Sequence, residues 1–352
     1  MHFVLFVAIH LPGLIVLRCA LIALLMISCA AGEPIPVCAT VPELGDLVRQ
    51  VGGEAVQVTV FAQPGDDPHR VDSKPSFAVT LARAELLVSI GCELEVGWLP
   101  PVIATSRNPR IAPGQRGFLE ASSAVSDLLG IPTGPIDRSA GEVHPQGNPH
   151  FLLDPLNGLA VAEALRDRLG QLHPESAKVF ARNCTAFRKA LGIALVGEKL
   201  AAELDGAKLA LLARHGKLLE FLKTQQREAE LGGWLGAMQP FASAAIAADH
   251  DLYPYFARAF GLRLVELLEP KPGVPPSARH LVGVAKRMRA AGATVILATP
   301  YFDRRSIDSA AEAAGAKVAE MAHQAGSRPG TGTYLTWIDH NVRVVAAALA
   351  GR

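Results

Sequence analysis

Apolar residues arrive along this chain in two rhythms. Short, nearly unbroken runs at 35–41, 56–61 and 86–90 are bounded by Pro, Gly or charged residues and read as buried strands. Between them the spacing turns helical: 42–52 opens with Pro42 and closes at Gly52, and 75–84 carries Phe77, Val79, Leu81 and Ala82. Strand, helix, strand, helix, strand predicts a parallel sheet flanked by helices. The same rhythm returns late in the chain, with strands expected at 244–248, 262–268, 294–298 and 317–321 and helices at 280–291 and 306–314, the former capped by Ser277. Two α/β halves follow from that repetition. Between the halves, 157–172 is helical by spacing, and 174–203 continues without an internal proline, with Gly192 and Gly197 as its weak points. A helix of that length would run about 45 Å at about 1.5 Å per residue, long enough to span two lobes. Residues 206–238 are less regular: 209–222 is apolar around His215, which reads as a packed or solvated helix residue, and a polar stretch follows.

The first 32 residues break the pattern, being almost wholly apolar except for His2, His10, Pro12 and Arg18 and ending in small residues. This is the profile of an export signal. Its basic residue lies deep, which fits either translation from nearer Arg18 or a longer anchor. Met26-Ile-Ser-Cys29 is an imperfect lipobox, so a lipid anchor on Cys29 and cleavage near Ala31 or Gly32 are both open. Either outcome places the mature chain outside the cytoplasm, periplasmic or otherwise extracytoplasmic. No second apolar run reaches bilayer-spanning length.

Composition narrows the function classes. The 352 residues are 50% hydrophobic and 19% charged, ample for one large or two medium domains, and the formal net charge of +1 with no basic cluster argues against a nucleic-acid partner. Aromatics make up 6%, so the core should be mainly aliphatic. Beyond the leader only Cys38, Cys92 and Cys184 remain, without CxxC spacing. A Cys38–Cys92 bridge is conceivable in an exported protein, but free buried thiols are favoured.

The chemistry lies in the histidines. In 141–155, Pro145 and Pro149 bias His144 and Asn148 away from helix and Gly147 permits a turn, so a stiff loop presents His144 and His150. Taken alone, two such histidines are more often bonded to backbone carbonyls than to a metal. His69 lies in a second Pro/Gly-stiffened loop after a strand, and His250 and His323 each follow a strand of the second half. Four neutral imidazoles, two from each half, suit tetrahedral zinc. A full protein shell leaves no open position for an activated water, which predicts binding rather than catalysis, and there is no HExxH helix to support an exported zinc hydrolase. Trp98, Trp234, Trp337, Tyr253 and Tyr255 read as packing residues, with Tyr255 and Phe256 walling a cleft behind His250. Asp154-Pro155 reads as a helix N-cap with Pro in the first turn, or as an orienter of an imidazole.

The segments Pro64-Gly-Asp-Asp-Pro-His-Arg70, Gly141-Glu-Val-His-Pro-Gln-Gly-Asn-Pro-His-Phe-Leu-Leu-Asp-Pro155, Asp249-His-Asp-Leu-Tyr-Pro-Tyr-Phe-Ala-Arg-Ala-Phe-Gly-Leu262 and Glu269-Pro-Lys-Pro-Gly-Val-Pro-Pro-Ser277 resemble the solute-binding proteins of zinc and manganese ABC transporters. The resemblance implies two α/β lobes, each a mainly parallel sheet flanked by helices, joined by one long linking helix with the metal in the inter-lobe cleft. The expected division is a signal peptide over 1–32, an N-terminal lobe over 33–172, a linking helix over 173–204 and a C-terminal lobe over 205–352. The resemblance implies His69, His150 and His250 as the first three ligands. It places the fourth where the chain reads Ala322-His323-Gln324, making His323 the candidate, with Asp303 and Glu269 as fallback oxygens and His144 supporting the loop. The long His-rich loop of some zinc members is absent, and 206–238 looks like a local variation. A histidine-dominated set favours Zn2+, with Mn2+ or another divalent ion behind it. The implied activity is non-enzymatic: a monomer captures the ion and delivers it to an ABC permease. An exported metallochaperone or adhesin on the same scaffold is the alternative.

Overall fold

The computed structural model describes residues 33–134, 143–271 and 273–351. The expected leader and Cys29 lie outside the described residues. The N-terminal sheet contains β1 (Ile35–Ala39), β2 (Val56–Val60), β3 (Leu86–Ser89) and β4 (Phe118–Glu120) in the order β2-β1-β3-β4, every pair parallel. Around it lie α1 (Pro42–Gly52), α2 (Pro75–Leu81), α3 (Leu99–Ser106) and α4 (Pro155–Leu172). Helix α1 shows why the local prediction works. Pro42 occupies its first turn, Gly53 takes φ +56° at its C-cap, and Leu44, Leu47, Val48 and Val51 face the core. Strand β3 is buried along its whole length, as its unrelieved apolar run requires.

Next come α5 (Ala177–Val196), α6 (Glu198–Ala201), α7 (Gly206–Arg214), α8 (Leu218–Thr224) and α9 (Gly233–Met238). Helix α5 packs on α1 and α4 at one side and on α7 and α9 at the other, so it bridges the two halves. It is shorter than the 174–203 pattern suggests. Gly197 adopts φ +85° and ends it after 20 residues, and a Cβ at that position would approach the Gly232 backbone to 3.1 Å. A Cβ on Gly206 would meet the Gly192 backbone at 2.5–2.8 Å, which explains two glycines where the helices cross. Residues 206–238 are short helical pieces packed against this bridge.

The second sheet contains β5 (Ala245–Ala248), β6 (Arg263–Leu267), β7 (Val295–Ala298) and β8 (Lys317–Glu320) in the order β6-β5-β7-β8, again parallel throughout. It carries α10 (Pro254–Ala259), α11 (Ala278–Ala291), α12 (Arg304–Ala314) and α13 (Tyr334–Leu349). Ser277 caps α11 by accepting the His280 amide at 3.2 Å. Several elements go beyond the sequence reading, among them the short helices α3 and α10, β4, which is too short to register as a run, and α13, which follows a polar loop that hid its start. Helix α13 returns to α1 and α5, with the Tyr334 amide donating to Asp46 at 2.7 Å and the Tyr334 hydroxyl donating to the Leu152 carbonyl at 2.7 Å. One large core joins both sheets to the bridging helices, while Leu281, Val284, Met288, Ile296 and Ile307 form a smaller core beneath α11 and α12. Cys38, Cys92 and Cys184 are buried free thiols. Among the described residues no helix is long and apolar enough to cross a membrane.

Candidate metal centre

In each sheet the loops after the strand carboxyl ends turn toward the other lobe, the usual ligand position in parallel α/β sheets. His69 comes from the loop after β2, His144 and His150 from the long segment after β4, His250 from the turn after β5, and His323 from the loop after β8. The structure gathers four imidazoles. Ring centroids are separated by 5.5 Å for His69 and His150, 6.3 Å for His69 and His250, 6.0 Å for His150 and His250, and 5.3 Å for His69 and His144.

Three of these rings are oriented from behind, as imidazole ligands generally are. His69 Nδ1 lies 2.9 Å from Asp67 Oδ1, His250 Nδ1 lies 2.7 Å from Glu269 Oε2, and His144 Nδ1 lies 2.9 Å from the Cys92 carbonyl oxygen. These oxygens accept, so each Nδ1 is the donor and each Nε2 carries its lone pair forward. The Nε2 atoms of His69 and His144 then approach to 3.2 Å. Two lone pairs repel at that distance; a cation between them, a proton or a metal ion, makes the contact favourable.

His150 supplies the most water-excluded ring. Burial, followed by the neighbouring charges of His69, His250, His144 and His323, holds its pKa well below the ordinary 6.5, so it is neutral and ready to ligate. Asp249, next to His250, is raised to about 6 by burial, against the opposing hydrogen bonds from Thr299. A cleft of about 310 Å³ lined by Asp67, His69, His250, Glu269, Tyr301 and Asp303 opens onto the rings. Among the described residues no group of three His, Cys, Asp or Glu side chains is already drawn up as a metal cage. The rings are gathered without having closed on a common point.

His323 is placed differently. Its Nε2 donates to the Asp66 carbonyl at 3.0 Å, its ring packs edge-on against Tyr301 with centroids 4.9 Å apart, and its buried Nδ1 has no hydrogen-bond partner among the described residues. His144, read from the sequence as supporting its loop, lies beside His69 in the folded chain. The signal was present in the prolines that stiffen its loop, but its distance from His69 is a tertiary fact. Of the fallback oxygens, Glu269 stands behind His250, and Asp303 caps α12 by accepting the Ser306 amide at 3.1 Å. Asp154 caps α4 as expected, accepting the Leu156 amide at 3.0 Å, and its other oxygen receives Arg214 at 2.6 Å and Arg258 at 3.1 Å. His215 closes α7 as its C-cap residue.

Comparison with known proteins agrees with this architecture. The family described as the periplasmic zinc-uptake complex component A, ZnuA, matches residues 37–210 and 225–348. The high-affinity zinc uptake system protein ZnuA of Paracoccus denitrificans is 26% identical over 330 residues, covering 84% of this chain and 85% of that protein. The manganese-binding lipoprotein MntA of Halalkalibacterium halodurans is 22% identical over 342 residues, covering 94% and 96%. A crystal structure of ZnuA superposes with a TM-score of 0.63 at 20% identity, covering 91% of this chain and 99% of that one. The periplasmic zinc-binding protein TroA from Treponema pallidum gives 0.61 at 19% identity, covering 90% and 99%. With two parallel four-stranded sheets, a bridging helix and a matching family profile over most of its length, the chain belongs to the ZnuA family, the periplasmic component A of zinc-uptake complexes.

Proposed function

We propose that this protein is an extracytoplasmic receptor that captures Zn2+ between its lobes and delivers it to an ABC permease. The working division is a leader over 1–32, lobes over 33–172 and 205–352, and a bridge over 173–204. The observation that carries the reading is the Nε2 contact between His69 and His144, a spacing that a cation between them would make favourable, with the rings of His150 and His250 lying 5.5 and 6.3 Å from that of His69. The ion would be held by His69, His150 and His250, with His144 as the fourth donor in this arrangement. His323 is the competing fourth donor, through Nδ1 with its Nε2 tie to Asp66 kept.

An all-nitrogen set favours zinc over manganese, because manganese prefers harder oxygen donors. A specific observation keeps manganese as the second reading: Asp67, Glu269 and Asp303 line the same cleft. A metallochaperone or adhesin would use the same ion site without a permease.

The test is metal content and competitive zinc titration of the chain from residue 33 onward, with His250→Ala, His144→Ala and His323→Ala beside it. One tightly held zinc, lost on His250→Ala, supports the receptor reading, and the more damaging of the other two substitutions identifies the fourth donor. A chain that holds no zinc sinks the reading. Retention of manganese in preference to zinc would make it a manganese receptor.

A further inference from the structure

His150 belongs to the N-terminal lobe and His250 to the other, yet the segments carrying them are tied together by a single side chain. The Asn148 carboxamide oxygen accepts the His150 amide at 2.9 Å, and its Nδ2 donates to the Asp251 carbonyl at 2.7 Å. The same Nδ2 lies 3.2 Å from Asp251 Oδ2. Asn148 is only 5% exposed, so these bonds are made away from bulk water. Its backbone is fixed as well: the amide donates to the Leu129 carbonyl at 2.7 Å, and the carbonyl accepts the Tyr255 hydroxyl at 3.0 Å. Tyr255 in turn accepts the Leu129 amide at 2.8 Å, closing the loop around Asn148.

We propose that Asn148 is a positioning residue for the ion, a crossbar that holds His150 of one lobe and the His250 segment of the other at ligation spacing. The proposal rests on the reading of the histidine cluster as the ion site. A carboxamide is the side chain that fits: it presents a donor and an acceptor on one planar group, whereas aspartate lacks the donor and an aliphatic residue lacks both. Aspartate would also set a carboxylate against the Asp251 carbonyl and carboxylate oxygens. The crossbar makes His150 and His250, with rings 6.0 Å apart, the pre-set half of the site. His69 and His144 take their orienting bonds from their own lobe, from Asp67 and Cys92. Loss of the crossbar should therefore alter how the ion is coordinated before it alters the folded core.

The experiment compares wild type, Asn148→Asp and Asn148→Ser in the chain from residue 33 onward, with Zn2+, Mn2+ and Co2+ as probes. Tyr255→Phe is included because it loosens the same loop while leaving both crossbar bonds. The Asn148 variants should bind zinc about ten- to a hundredfold more weakly, the range for residues that orient metal ligands, and should shift the visible bands of the cobalt form and narrow the preference for zinc over manganese. The serine variant keeps the test open if a buried aspartate prevents folding. The proposal is overturned if both folded variants bind zinc within about twofold of wild type with unchanged cobalt bands, or if Tyr255→Phe produces the same loss. A wild type that binds no zinc would remove the underlying reading as well, whereas zinc binding by the wild type with indifference at Asn148 would remove this inference alone.

Discussion

The two lobes share one strand order and use it differently. In the N-terminal sheet the imidazoles follow β2 and β4, the two edge strands; in the C-terminal sheet His250 follows the inner strand β5 and His323 the edge strand β8. Their interiors differ too. The N-terminal sheet, the bridging helices and the facing side of the second sheet form one continuous core, whereas the outer layer of α11 and α12 rests on a small core of its own. The gathered imidazoles therefore lie where the molecule is most continuous, with a separate outer layer behind one half of them. The outer layer should be the first to open locally.

The contrast can be broken most sharply at Asp154. Its carboxylate, 1% exposed, receives Arg214 and Arg258 from the other side of the interface. Asp154→Ala leaves two largely buried guanidinium groups short of a partner and also removes a helix cap, so a loss of about 3–5 kcal/mol in unfolding free energy is expected in denaturant titration. A loss below about 1 kcal/mol would mean that the lobes do not depend on this tie.

Next come the imidazoles. His150→Ala and His250→Ala should each weaken zinc by about a hundredfold or more in competition titration, because each removes a ligand contributed by a different lobe. Loss at one and indifference at the other would assign the ion to a single lobe. His144→Ala should cost more affinity than His323→Ala, and the reverse order would transfer the fourth donor to the C-terminal lobe.

Acidification sharpens the comparison further. His150 has a folded-state pKa well below the ordinary 6.5, so above that value it is neutral in both folded and unfolded chains and its full contribution to stability is present. As pH falls through 6.5 the unfolded chain takes up the proton first, and stability of the metal-free protein should decline progressively until the folded-state value is passed. Thermal melts of metal-free wild type and His150→Gln from pH 8 to 5 check this; parallel profiles would contradict it. The smallest effect belongs to the outer layer. Arg304 pairs with Asp308 at 2.7 Å in an exposed i,i+4 bridge, and Arg304→Ala should change stability by less than about 1 kcal/mol in the same melts.

Much of this was written locally. Pro42 and Gly53 bracket α1, Ser277 starts α11, Asp154 caps α4, and the unrelieved apolar runs became buried parallel strands, because caps, proline geometry and burial on both sheet faces act over a few residues. His69, His150 and His250 were legible as candidates for the same reason: each ends a strand or occupies a loop stiffened by proline or glycine. The length of α5 was not legible, since helical spacing continues past Gly197 and only the approach of Gly232 shows why the chain turns there. Nor was the standing of His144 against His323. Both lie in loops after strands, and sequence separation says nothing about which lone pair faces His69. The sequence alone determined most of the elements, the two-lobe repetition and the kind of donor available. Tertiary structure decided which imidazoles meet, because such contacts are a matter of ångström distances between loops that only the packing of one lobe against the other can fix.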